Sequence, residues 1–147
     1  MLKWSYNSAP DIPDAIYAAK ISGIEEKKSS KGNDMWVFTL TLAEINATVR
    51  YFQVVDGNFD YVASQAIASS IERVAKCFSI PEGNDNPQEW IGRSGIIETY
   101  HKTAPNGNTY INVKKFYSPS AGKKALTQQL AAKMVDAQFD FSEGFNV

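Results

Sequence analysis

The spacing of apolar side chains changes twice along this chain, and these changes limit the folds that it can adopt. Apolar and polar residues alternate with the two-residue period of a half-buried strand in five segments: residues 16–28, 35–43, 47–55, 96–102 and 109–117. Between the third and fourth of these, apolar residues recur every three or four positions, as in an amphipathic helix: Val62, Ala66, Ile67, Ile71, Val74, Ala75 and Phe78. The predicted order is three strands, one helix and two strands.

Turn residues separate these elements and indicate where the chain bends. Gly23 interrupts the alternation of the first strand, so we expect a β-bulge or a sharp bend there. Residues 29–33 form a predicted turn, and Asn106-Gly107 within residues 104–108 favours a tight hairpin. In the clearest strand, residues 35–43, one set of side chains is expected to face the core: Trp36, Phe38, Leu40 and Leu42.

Five strands with one helix between the third and the fourth have the strand order of the OB-fold, a small Greek-key barrel. The predicted fold class is therefore mainly β. A chain of 147 residues is long enough for one buried core, and no internal repeat divides it. We expect residues 1–120 to form the OB-fold domain, residues 121–135 a weakly helical basic linker, and residues 136–147 a flexible, acidic, aromatic tail.

Charge is segregated along the chain, although the formal net charge is only −1. No acidic residue lies between Glu98 and Asp136, and that segment carries six lysines. Residues 136–147 are acidic, so residues 1–135, with 15 basic and 13 acidic side chains, have a net charge of +2. A mildly basic body suits a polyanionic partner.

The chain offers little for catalysis. It has one histidine, His101, and one cysteine, Cys77, which we expect to be buried. Acidic residues lack the spacing of a calcium loop, and no glycine-rich phosphate loop is present. We expect no enzyme activity, no metal and no cofactor. No apolar run reaches the ~20 residues of a membrane span and no signal-peptide stretch opens the chain, so we expect a cytoplasmic protein without a membrane partner.

The third strand carries a candidate binding face for single-stranded nucleic acid, which requires positive charge along the phosphates and aromatic rings under the bases. If Val49 points inward, Arg50 and Phe52 share the opposite face and turn toward solvent. OB-folds bind ligands on this part of the barrel.

The last strand offers a second candidate face. If its alternating apolar residues point inward, the residues between them form one exposed row: Tyr110, Asn112, Lys114 and Phe116. The alternative for the Tyr110 and Phe116 rings is that either one fills an end of the barrel.

Trp36 is more consistent with the core than with stacking, although its position near the start of a strand also allows a place at the barrel mouth. The lysines around the first turn either close over a bound strand or are simply solvated. The candidate DNA-binding residues are Lys27, Lys28, Lys31, Trp36, Arg50, Phe52, Lys102, Tyr110, Lys114, Lys115 and Phe116.

The C-terminal tail mixes acidic and aromatic side chains, which suits docking into a basic and apolar pocket of another protein. It could also lie over the protein's own lysine-rich groove as a mimic of DNA. The tail residues concerned are Asp136, Phe139, Asp140, Phe141, Glu143 and Phe145.

Two segments of the chain resemble a known family: residues 25–42, EEKKSSKGNDMWVFTLTL, and residues 89–117, which open with Glu89 and Trp90-Ile91-Gly92-Arg93. They are similar to the small single-stranded-DNA-binding proteins of bacteriophages, OB-fold relatives of the bacterial replication proteins, over about 100 residues. The resemblance implies sequence-independent binding of single-stranded DNA in phage replication or recombination, in the host cell cytoplasm. It also implies an acidic C-terminal tip that recruits other replication or recombination proteins. The last four residues, GFNV, depart from the acidic run and final phenylalanine of several relatives.

Two other functions stay open. The barrel could be an OB-type protein-interaction or virion-structural module, whose aromatic faces form an oligomer interface, for example in a homodimer. A hydrolase or nuclease that uses the scattered carboxylates is the least favoured of the three.

Overall fold

The computed structural model describes residues 12–145, with side chains described for residues 12–135. The strand order and the helix between the third and fourth strands are as predicted, whereas the sequence does not predict the short helix α2. The elements are β1 (Ile16–Lys28), β2 (Asp34–Leu42), β3 (Ala47–Asp56), α1 (Tyr61–Cys77), α2 (Pro87–Trp90), β4 (Ser94–Thr103), β5 (Thr109–Phe116) and α3 (Pro119–Phe145).

The five strands form one antiparallel sheet in the order β3-β2-β1-β4-β5. β1 takes part in two pairings: residues 19–28 pair with β2 and residues 16–20 pair with β4. The register between β1 and β2 shifts between Ile21 and Gly23, which confirms the bulge predicted at Gly23. A bulge bends its strand, and this bend lets β1 serve both halves of the sheet.

The strands at the two ends of that order, β3 and β5, contact each other. The ring of Tyr51 on β3 meets the ring of Phe116 on β5, so the sheet curls into a barrel-like form. The inward set predicted for β2 is confirmed, because Trp36, Phe38, Leu40 and Leu42 are all buried. They pack with other apolar side chains of the core: Tyr17, Ala19, Ile21, Val49, Phe78 and Ile97.

Helix α1 covers the barrel where β3 ends and β4 begins. The helix begins after Asp60, whose carboxylate accepts a hydrogen bond from the backbone N–H of Ala63 at 2.8 Å. Near its end, Val74 and Cys77 are buried. Gly95 allows β4 to approach the end of α1 closely, since a Cβ at this position would lie 2.7 Å from the carbonyl oxygen of Cys77.

The predicted apolar face of α1 is correct only for the later turns of the helix. Val74 and Cys77 are buried, and Ile71 and Ala75 pack against the core, whereas Val62 is 76% exposed. The expectation that the apolar face includes Val62 and Ala66 is wrong, since both side chains are exposed and only the later turns of α1 lie against the core.

Helix α3 packs on β1 and β4 through its first half. The side-chain amide of Gln129 accepts a hydrogen bond from the N–H of Ile16 and donates one to its carbonyl, each at 2.8 Å. Gly122 lies against Ile96, where a Cβ would come within 2.8 Å of the Ile96 Cβ. The segment expected to be a weakly helical linker, residues 121–135, belongs to this helix. Within residues 12–145, no helix has both the length and the apolar character needed to cross a lipid bilayer.

Candidate nucleic-acid interface

The alternation of β3 places Arg50 and Phe52 on the outside of the barrel, as the sequence predicts. Val49 is 1% exposed and Tyr51 packs against the core, whereas Phe52 is 55% exposed. The guanidinium carbon of Arg50 lies 5.4 Å from the centroid of the Phe52 ring, which is within the range of a cation–π contact. Arg50 and Phe52 therefore present a cation and an aromatic ring side by side to solvent.

Strand β2 lies beside this pair and places two side chains next to it. Phe52 lies opposite Val37 in the β2–β3 ladder, and Arg50 lies opposite Thr39. Directly opposed residues share one face of a sheet, so these four side chains form one surface, which we call the outer patch. Val37 is only 2% exposed, so the solvent-facing part of the outer patch consists of Arg50, Phe52 and, in part, Thr39.

The β1–β2 hairpin brings three predicted lysines to one end of these strands, but two of them have acidic partners. Lys27 lies 3.5 Å from a carboxylate oxygen of Glu25, and Lys28 pairs with Asp34. Lys31 is exposed in the turn and makes no ion pair with the described residues. Of the three, Lys31 therefore has the charge most available to a phosphate.

The β4–β5 hairpin holds a second exposed ring. Tyr110 is 49% exposed and lies opposite Lys102 in the ladder. Its hydroxyl accepts hydrogen bonds from the side-chain amides of Asn106 at 3.3 Å and Asn108 at 3.4 Å. These two bonds, the one from Asn106 first, lower the pKa of the Tyr110 hydroxyl. The turn thus holds the ring in place, and Asn106 and Asn108 are residues whose role the sequence signalled only through the Asn-Gly turn.

The expectation that Phe116 shares the exposed face of Tyr110 is wrong. The β4–β5 register shifts between Glu98 and Thr99, which leaves Lys114 as an extra residue on β5. An extra residue reverses the alternation that follows it, so Phe116 turns inward. Its ring lies 6.2 Å from that of Phe78 and packs against the core, as in the alternative in which it fills an end of the barrel.

The two predicted lysines of β5, Lys114 and Lys115, already contact other side chains of the protein. Lys114 forms an ion pair with Glu98 at 3.3 Å. The ammonium of Lys115 lies 4.5 Å from the centroid of the Tyr117 ring. Both side chains remain exposed, but the positive charge of Lys114 is already paired with the carboxylate of Glu98, which weakens its attraction for an anionic ligand.

Trp36 is buried, at 9% exposure, which confirms its place in the core, and it lies on the opposite face of β2 from the outer patch. Its ring meets that of Trp90 edge to face, with 5.3 Å between centroids. Trp36 also lines a cleft at the end of the barrel, on the opposite side of the sheet from Val37.

The predicted tail residues, Asp136 to Phe145, lie outside the residues whose side chains the structure describes. Among the side chains of residues 12–135, no group of three or more His, Cys, Asp or Glu residues is arranged so that it could hold a metal ion.

No protein-family model matches the chain, and no curated protein is similar enough to it to count as a match.

Proposed function

We propose that this protein binds single-stranded DNA without sequence preference and acts in DNA replication or recombination, in the manner of the bacteriophage proteins that its sequence resembles. The observation that carries the proposal is the Arg50–Phe52 pair, an exposed ring with a guanidinium 5.4 Å from its centroid, on the outer face of β3. A base can stack on Phe52 while Arg50 contacts the adjoining phosphate.

The strand order supports an OB-type barrel as part of this proposal. The order β3-β2-β1-β4-β5, with α1 between β3 and β4, is the arrangement expected for an OB-fold. In OB-folds, the face of the second and third strands binds oligonucleotides together with the loops that join strands 1 to 2 and 4 to 5. Here these regions carry the outer patch, Lys31, and the Tyr110–Lys102 pair.

The proposed contacts would make the affinity nearly independent of the base sequence of the DNA. Every base has a face that can stack on Phe52 or Tyr110, and each stacked base contributes about 1–3 kcal/mol. Arg50, Lys31 and Lys102 would attract phosphates, which are the same in every nucleotide. Because Lys27, Lys28 and Lys114 have acidic partners, we assign them a weaker role than the sequence suggested.

The tail belongs to the proposal as a site for other replication or recombination proteins or as a competitor of DNA. Its acidic and aromatic composition supports either role. A chain that ends at Val135 separates the two: tighter DNA binding after truncation indicates competition, whereas unchanged DNA binding with loss of a protein partner indicates recruitment.

The test is fluorescence anisotropy of labelled oligothymidine of about 16 nucleotides, the upper end of the site size of one OB-fold. We expect binding to single strands, weaker binding to a duplex of the same length, and a logarithm of affinity that falls linearly with the logarithm of salt concentration. A protein that binds neither ligand at low salt would rule out the proposal.

The alternative is a protein-interaction or virion-structural module. It is favoured by three apolar side chains of α3 that are more than half exposed: Leu130, Met134 and Val135. Stable assembly of the purified protein, combined with no response to single strands, would select this alternative.

A further inference from the structure

A cleft of about 840 Å³ opens between α1 and the loop that precedes α2. One wall is a single face of α1, since Ala68, Glu72 and Ala75 recur at the spacing of helical turns. The other wall is the loop, residues 80–85. A smaller cavity of about 420 Å³ shares Trp36 and Val55 with it and continues toward the β1–β2 hairpin. Clefts of 300–1,000 Å³ are the size that binds ligands.

The floor of the cleft is apolar. Its apolar lining includes Trp36 and Trp90, together with Ile71 and Ile80. The indole N–H of Trp90 already donates to the carbonyl oxygen of Asn84 at 3.0 Å, so the floor offers apolar surface rather than free polar groups. Apolar side chains of a ligand would be held there by the hydrophobic effect.

The rim of the cleft is acidic. Its charged lining consists of three carboxylates and one ammonium, a net charge of −2. Glu72 and Lys76 neutralise each other through an ion pair at 2.8 Å. Glu82 and Asp85 are exposed on the loop and form no ion pair with any described side chain. Such a rim attracts cations and repels phosphates.

We propose that this cleft binds a basic peptide segment of a partner protein, whose apolar side chains enter between α1 and the loop and whose Lys or Arg side chains meet Glu82 and Asp85. The complementary charge identifies the occupant as a cationic peptide rather than nucleic acid. Because adjacent residues of β2 point to opposite faces, the cleft and the outer patch are separate surfaces. The proposal does not depend on DNA binding.

The probe is a phage-displayed library of random seven-residue peptides, selected on the full-length protein. We expect enrichment of peptides in which an aromatic or large aliphatic residue is flanked by Lys or Arg. The best peptide is then synthesised with a fluorescent label, and its binding is followed by anisotropy.

Two variants place the binding in the cleft. Ala68→Trp fills the cleft from α1 and should weaken peptide binding by at least roughly tenfold, a loss of about 1.4 kcal/mol. Ser69→Trp adds the same ring to an exposed position of α1 that does not line the cleft, and should change little. The double charge reversal Glu82→Lys, Asp85→Lys should weaken binding to a similar degree, whereas Glu44→Lys in the β2–β3 turn should not.

Three results would overturn the proposal: selection of acidic or uncharged peptides, enrichment that is equally strong on the Ala68→Trp protein, or displacement of the peptide by oligothymidine. Peptide binding by a protein that fails to bind oligothymidine would leave this proposal intact and remove only the proposed DNA-binding function.

Discussion

The ring of Phe116 meets the ring of Tyr51 edge to face, with 4.7 Å between their centroids and 70° between their planes. This contact joins the two strands at the ends of the sheet order, β5 and β3, which share no ladder of backbone hydrogen bonds. Phe116 therefore holds the two end strands of the curled sheet together rather than facing solvent.

The first prediction concerns this contact. Phe116→Ala should lower the free energy of unfolding by about 3 kcal/mol, because it removes a ring that packs against Tyr51 and Phe78. Urea unfolding measures the loss. Tyr110→Ala, an exposed ring on the same strand, is the matched control and should change stability by less than about 0.5 kcal/mol. Equal stability of the two variants would contradict the assignment.

The second prediction concerns stacking on Phe52. Phe52→Ala should weaken binding of oligothymidine by about 1–3 kcal/mol, roughly 5- to 150-fold, with little effect on stability because the ring is 55% exposed. Anisotropy titration measures the affinity. Tyr61→Ala removes a ring that is 78% exposed on α1 and serves as control. If both variants bind equally well, Phe52 has no stacking role.

The third prediction concerns Arg50 and salt. Arg50→Gln should weaken binding for all base compositions to a similar extent, and should reduce the slope of log affinity against log salt by about 1. The measurement is the same titration at several salt concentrations. Arg73→Gln, an exposed arginine on α1, should leave both quantities unchanged. An unaltered salt slope in Arg50→Gln would show that this charge does not contact phosphate.

The fourth prediction concerns Cys77 and pH. Burial raises the pKa of the Cys77 thiol from 9.0 to about 11. The folded state therefore favours the neutral thiol, and this stabilisation is complete below pH 9 and lost as the pH rises through 11. The contribution is at most about 2–3 kcal/mol.

The measurement for Cys77 is the free energy of unfolding between pH 8 and 11. It should fall less steeply in Cys77→Ala than in the natural chain, and this comparison is needed because burial also raises the pKa of Tyr51. Rapid alkylation of the folded protein at pH 8 would argue against a buried, protonated thiol.

The fifth prediction concerns the docking of α3. Gln129→Ala removes two hydrogen bonds to the backbone of Ile16 and should cost about 1–2 kcal/mol of stability. Hydrogen exchange of the Ile16 amide should accelerate. Gln128→Ala, at the exposed neighbouring position, should leave that exchange rate unchanged. Equal rates in both variants would mean that Gln129 does not hold α3 to β1.

Much of the fold follows from local pattern. The strand boundaries around β2 and β3, the bulge at Gly23 and the position of α1 agree with prediction, because alternation, glycine and helical spacing act over a few residues. The exposed position of Arg50 and Phe52 also agrees with prediction. Val49 points into the core, and alternate residues of a strand point to opposite faces, so Arg50 and Phe52 point outward.

The sequence by itself determined which segments are strands, which is the helix between them, and which face of β3 carries a cation beside a ring. Only the tertiary structure decided that Phe116 points inward, that Lys114 pairs with Glu98, and that Trp36 lines a cleft with an acidic rim. The physical reason is distance along the chain. The bulge at Lys114 depends on how β5 pairs with β4, and the cleft depends on how α1 and the loop before α2 meet the start of β2. Such contacts between distant residues leave no periodic trace in the sequence.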